Sequence, residues 1–133
     1  MNSYVRKVNI LNDYNNLCKF IDDLACDYGE LFTKATRTAS QLKDDVSPAN
    51  HDNTSKAEKF SILLAQKKDK LEQAIERRNH IDEALKKLGV KNEYIVRQIY
   101  IERTPTIKVA RDLNMNYYYL LTRKKELVNR LAI

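Results

Sequence analysis

Four cations, Arg123, Lys124, Lys125 and Arg130, fall within eight residues and closely follow the run Tyr117-Tyr118-Tyr119. Lysine and arginine carried on a helix can pair with nucleic-acid phosphates, and tyrosine rings can meet thymine methyls, sugars or a protein surface. Arg111, in the segment just before, adds a fifth cation. No other part of the chain suggests chemistry. His51 and His80 are isolated, and no His/Cys/Asp/Glu cluster has metal-ligand spacing. Glu58, Glu72, Glu76, Asp82 and Glu83 read most simply as a solvated helix face. There is no phosphate-binding glycine loop and no serine nucleophile elbow. The expectation is a non-enzyme with no catalytic residues, metal or cofactor.

The elements that must position these side chains are three helices between Asn92 and Leu131. A lead helix begins after Asn92 and buries Ile95 and Ile99, with Tyr94, Val96 and Tyr100 as further candidates. Thr104-Pro105 ends it, because proline disfavours helix for the residue before it and can open the next one. A short helix around Val109-Ala110 follows, with Val109, Ala110 and Leu113 toward the core. Ala110 stands where two helices cross closely. Asn114-Met115-Asn116 makes the turn, with Met115 pointing inward and Asn116 as N-cap. The final helix buries Leu120, Leu127 and Leu131, with Arg123 or Lys124 at its margin. Tyr117, Tyr118, Leu121, Thr122 and Lys125 fall on or near its outward face, and Tyr119 is expected to touch the core. This is the rhythm of a helix-turn-helix, whose second helix enters the DNA major groove. Arg111, Arg123, Lys124, Lys125 and Arg130 are the candidate phosphate partners. The start of the final helix lacks the Arg, Asn and Gln that read guanine or adenine bidentately. A protein-binding face would look much the same.

Composition agrees with long helices. The 133 residues include two Gly, two Pro and no Trp, too few turn-formers for a β-rich fold. The net charge of +6 is unevenly spread. Residues 1–54 carry six basic and eight acidic side chains, residues 55–91 ten and six, and residues 92–133 eight and four. Positive charge thus sits where a phosphate-binding surface would need it. Cys18 and Cys26 lack CxxC spacing, which argues against a disulfide framework and fits a reducing cytoplasm. No signal peptide is visible, and the longest apolar runs are too short to span a bilayer, so no membrane role is expected.

Upstream, residues 1–11 are ambiguous between an extended arm and an early helical turn. A helix is expected from the N-caps Asn12-Asp13, with Leu17, Phe20, Ile21, Leu24, Tyr28, Leu31, Phe32 and Ala35 as its apolar stripe. Asp44–Thr54 reads as a flexible linker containing Pro48. Ser55-Lys56-Ala57-Glu58 matches a capping box opening a long helix to Leu88, stopped by Gly89 in a Schellman-type turn. A heptad seam runs through Phe60, Leu64, Lys67, Leu71, Ala74, Arg78, Ile81, Leu85 and Leu88, broadened by Ile62, Leu63 and Ile75. Its apolar members could pair with the first helix, with a second copy, or with both. The expected architecture is all-α: a helical segment over 1–43, a linker over 44–54, a long coiled-coil-like helix over 55–89 and a helix-turn-helix over 90–133.

The segments Ile95-Val96-Arg97-Gln98-Ile99-Tyr100-Ile101-Glu102, Val109-Ala110-Arg111-Asp112-Leu113 and Tyr119-Leu120-Leu121-Thr122-Arg123-Lys124-Lys125-Glu126-Leu127 resemble the C-terminal module of small phage transcriptional regulators of the RinA/ArpU type. That module is itself similar to region 4 of sigma-70 factors. With the linker and long charged helix, the resemblance covers roughly residues 34–131, and residues 1–33 match nothing in it. It implies a phage or mobile-element regulator of late genes such as packaging or lysis, in the cytoplasm of a Gram-positive-type host. Its partners would be double-stranded promoter DNA, and host RNA polymerase or another phage regulator. By position, the resemblance places Asn116, Tyr117, Tyr118, Thr122 and Lys125 on the recognition face. This sequence departs from the pattern with Asn114 where glycine is common, and with tyrosines where Ser/Arg-type residues are usual. A homodimer would suit half-sites about 34 Å apart. The rival expectation is a module that grips a transcription factor or RNA polymerase without reading DNA. A structural coiled-coil protein is the third.

Overall fold

A computed structural model of the chain describes residues 3–44 and 51–133, with side chains placed over 3–37 and 56–133. All regular structure among the described residues is helical: α1 (Ser3–Asn12), α2 (Tyr14–Asp44), α3 (His51–Lys86), α4 (Val90–Val96), α5 (Thr106–Asp112) and α6 (Tyr117–Arg130). A π-helical turn, Arg97–Ile101, continues α4. The chain forms two compact units, one of Met1–Cys18 with Glu76–Ile133 and one of Lys19–Ile75.

The first unit contains the deep core. Leu11, Leu85, Ile95, Val96, Leu120, Leu127 and Val128 are at most 1% exposed there. The described part of the stretch that was ambiguous in sequence, residues 3–11, lies in α1, which packs against α6 and the π turn. Leu11 is fully buried, and Tyr4, Val8 and Ile10 rest on the same core. The helix expected to begin at Asn12-Asp13 is therefore preceded by another. Asp13 is a single-residue break whose N–H still bonds the Asn9 carbonyl at 3.0 Å and whose carbonyl accepts from Leu17 at 2.9 Å. The compact units also cut the chain differently from the four sequence segments, because the apolar side chains of α1 need a partner and find it around α6.

The lead helix starts at Val90, ahead of the expected Asn92. Gly89, with φ +94°, supplies the break before it, a conformation that a side chain would strain. The π turn explains why 3.6-residue periodicity misjudged this helix. Ile95 and Val96 recur five residues later as Tyr100 and Ile101, and all four are buried, whereas Ile99 is only partly covered. A five-residue repeat is the spacing of a π turn. Tyr94, another core candidate, is 41% exposed.

A polar clamp joins four elements of this unit. Arg97 donates from Nη2 to Asp82 Oδ1 and from Nε to Glu93 Oε1, each at 3.0 Å. The Tyr14 hydroxyl donates to the same Asp82 oxygen at 2.6 Å, and the guanidinium lies 5.5 Å from the Tyr14 ring centre. Burial, reinforced by the bond to Asp82, pushes the Tyr14 hydroxyl up to about 12. Burial works against the Arg97 charge, but its bonds to Tyr14, Asp82 and Glu93 outweigh that and hold it more firmly protonated. Burial also raises Tyr100, whose hydroxyl lies 3.1 Å from that of Tyr4.

The second unit consists of α2 from Lys19 and α3 up to Ile75. Among its described side chains Ile21, Leu24 and Ala74 are buried, and Tyr28, Leu31, Phe60, Leu64 and Leu71 are half-buried. Phe20 and Phe32, placed on the α2 stripe, are 50% and 54% exposed. At 3.6 residues per turn they lie about 60° to either side of its centre, beyond what one neighbouring helix covers. Ile62 and Leu63 are exposed too, so they do not broaden the seam as expected. Lys67 reaches Asp27 at 3.9 Å.

The expected linker is shorter than its sequence suggested. Helix α2 persists to Asp44 and α3 is under way at His51, so the backbone of Ser55 lies inside a helix and does not begin one. No Gly or Pro separates His51 from Ser55, and nothing in the local sequence stops α3 from extending upstream. The Ser47-Pro48 part of the expected linker falls outside the described residues. In the first unit, Ile81 and Leu85 belong to the core of a single chain, which removes them from any seam between copies.

Candidate nucleic-acid interface

Helix α6 is aimed by the turn before it. Asn114 takes φ +54°, a left-handed conformation that asparagine tolerates better than most residues. Its N–H bonds the Arg111 carbonyl at 3.2 Å, and the Met115 N–H bonds the Ala110 carbonyl at 2.8 Å. These two bonds are a Schellman stop for α5. Met115 then rests against the core, and Ala110, small as expected at this close approach, is 3% exposed. Asn116 caps α6: its Oδ1 accepts from the N–H groups of Tyr118 at 2.9 Å and Tyr119 at 3.3 Å. At the other end, Lys7 donates to the Asn129 carbonyl at 3.0 Å and Arg6 to the Ile133 carbonyl at 2.8 Å. Two α1 cations therefore sit at the negative end of the α6 dipole.

One side of α6 is anchored by Leu120, Leu127 and Val128, all fully buried. Val128 was not anticipated. The opposite side is the line Tyr118, Thr122, Lys125 and Asn129, four exposed residues at steps of four, three and four. Tyr118 is 76% exposed, and its ring meets that of Tyr117 edge-on with centroids 5.5 Å apart. Tyr119, expected in the core, is 57% exposed, so all three tyrosines reach the surface. On a 3.6-residue helix Tyr119 lies about 100° from the buried Leu120, away from the anchored side.

The five candidate phosphate partners divide. Arg111, Lys125 and Arg130 are exposed. Arg123 is paired with Glu126 at 3.2 Å, its side chain 22% exposed. Lys124 lies on the inner half of the helix and donates to Thr106 Oγ1 at 3.2 Å. Partial burial, and then the neighbouring Lys125 charge, lower its proton affinity. Neither Arg123 nor Lys124 belongs to the outward line, because each lies more than a quarter-turn from its centre on a 3.6-residue helix. Asn116 is exposed, yet its side-chain oxygen is committed to capping. Asn129 was missed by sequence reading; continuing the count outward from Tyr118 would have found it. Lys108 and Arg103 are two further exposed cations nearby in sequence.

Among the described residues no helix is long and apolar enough to cross a membrane, and no group of His, Cys, Asp and Glu is placed to hold a metal ion. In comparisons with known proteins, the chain matches no protein-family model, no curated protein and no solved structure.

Proposed function

We propose that this chain is a transcription regulator of a phage or related mobile element that binds duplex promoter DNA, with α5 and α6 acting as a helix-turn-helix. The observation that carries this reading is the outward line of α6. Tyr118, Thr122, Lys125 and Asn129 form a polar, cationic and acid-free strip on a helix fixed from behind by Leu120, Leu127 and Val128. The surrounding charge supports it: residues 103–133 carry seven basic and two acidic side chains, and one of the acids, Glu126, is paired with Arg123. Such a strip suits a major groove flanked by phosphates. Control of late genes, a host cytoplasm, and contact with RNA polymerase or another regulator rest on the family resemblance and belong to the proposal. If two copies bind together, Phe60, Leu64 and Leu71 are the half-exposed seam positions left for pairing.

Fluorescence anisotropy of the full chain with duplex fragments of the element's own genome, at about 50 and about 200 mM salt, tests it. Binding is expected to weaken steeply with salt and to be lost when Arg111, Lys125 and Arg130 are all changed to Glu. Duplex affinity untouched by that triple substitution would sink the proposal.

A second reading, docking to a protein, is favoured by one observation. Tyr117, Tyr118, Tyr119 and, on α5, Ile107 leave large apolar surfaces in solvent. Pull-down from phage-infected host cells with Tyr117→Ala/Tyr118→Ala separates the two. Loss of a protein partner with DNA affinity intact favours docking.

A further inference from the structure

We infer that the outward face of α6 selects thymine through its major-groove methyl group, with Tyr118 and Thr122 as the specificity-determining residues; the inference rests on the DNA-binding reading above. In a helix-turn-helix, the N-terminal half of the second helix meets the base edges. Here that half offers few hydrogen-bonding groups free to read guanine or adenine. Arg123 is held by Glu126, Lys124 by Thr106, and the Asn116 oxygen by two backbone N–H groups. On the outward line of that half stand Tyr118 and Thr122, one helical turn apart and both exposed.

Each combines an apolar surface with a hydroxyl. Thymine alone among the bases presents a C5-methyl group beside an acceptor, O4, in the major groove. The edge of the Tyr118 ring and the Thr122 methyl can cover thymine methyls while each hydroxyl donates to O4. Cytosine has no methyl, while its amino donor can still meet a hydroxyl acting as acceptor, so the methyl carries the discrimination. Four residues of helix rise about 6 Å, the scale of one to two base-pair steps, so the two side chains can address neighbouring pairs. Lys125 and Asn129 continue the line. Lys125 on this line, with the exposed cations Arg111 and Arg130 flanking it, supplies the charge complementarity that favours DNA.

The test uses the full chain and short duplexes of alternating d(A-T), d(A-U), d(G-C) and d(G-5-methyl-C). Uracil keeps the pairing and the minor groove of thymine and removes only the methyl. Affinity is expected to fall by about fourfold for each methyl left uncovered on passing from d(A-T) to d(A-U). It should rise, by less, from d(G-C) to its methylated form. Tyr118→Ala should shrink the d(A-T) to d(A-U) ratio toward one and Tyr118→Phe should preserve it. Lys125→Ala should lower all four affinities together. Tyr118 is 76% exposed, so its variants leave the core intact, which circular dichroism verifies. Salt-sensitive binding with equal affinity for d(A-T) and d(A-U) overturns methyl reading and leaves DNA binding standing. Failure to bind any of the four duplexes at low salt overturns both methyl reading and DNA binding.

Discussion

The α3 seam follows one heptad pattern but has two fates. Near its end, Ile81 and Leu85 are 2% and 0% exposed in the first compact unit. In the second unit Phe60, Leu64 and Leu71 hold equivalent seam positions and are only half-buried. The difference lies in the number of neighbours. The first unit assembles pieces of all six helices and the π turn, so a seam residue is covered from several sides. The second has two helices, and each can cover only one stripe of the other. Polar contacts follow the same division. The Arg97 clamp has side chains under a third exposed and bonds of 3.0 Å or less, whereas Lys67 and Asp27 meet at 3.9 Å with the carboxylate 57% exposed. Sequence pattern marks an inward face; the number of surrounding elements sets how deep inward it goes.

The largest test of this contrast is truncation. Leu127→Ala, at a fully buried site, should cost about 2–5 kcal/mol in urea denaturation. Leu63→Ala, at a site 44% exposed, should cost about 0.5 kcal/mol or less. Similar costs would erase the distinction between the units. Next come the ion pairs. Arg97→Met removes two charged hydrogen bonds, and after allowance for partial exposure should cost about 1–2 kcal/mol. Lys67→Met, which puts an apolar chain on the seam, should cost nothing measurable. A loss on changing Lys67 equal to that at Arg97 would show that the exposed pair matters as much as the clamp.

A further test concerns pH. Tyr14 titrates near 10 when unfolded and near 12 in the fold, so between those values the folded state holds the proton more often. The linked stability is complete below pH 10 and declines as pH rises toward about 12. Tyr14→Phe should flatten part of that decline in thermal melts, leaving the part due to Tyr100, which is shifted in the same direction. An alkaline slope identical in the wild type and Tyr14→Phe would exclude the clamp as its source.

Legibility of the site followed the range of the interactions that build it. The Asn114 turn, the Asn116 cap, the small Ala110 and the buried Leu120, Leu127 and Leu131 each depend on neighbours within a turn or two, and all were readable. Lys124 stands at the margin of α6 as expected, and only the position of Thr106 on α5 shows what it bonds. Tyr119 was misjudged: on a 3.6-residue helix it lies about 100° from Leu120, and it is 57% exposed. Ile101 was missed because a π turn changes the repeat from between three and four residues to five, and no local residue type announces it.

The sequence by itself therefore determined that this chain is helical, where α5 stops and α6 starts, and which side of α6 turns inward. Backbone propensity, caps and apolar periodicity act over a few residues and need no partner. Only the tertiary structure decided that α1 closes the core, with its cations on the end of α6, and that both ends of the expected linker, Asp44 and 51–54, are helix. It also decided which cations remain outward: Lys125, Arg111 and Arg130 do, whereas Arg123 and Lys124 are drawn into bonds with Glu126 and Thr106. Those outcomes depend on side chains distant in sequence meeting in space, and a one-dimensional pattern does not encode that meeting.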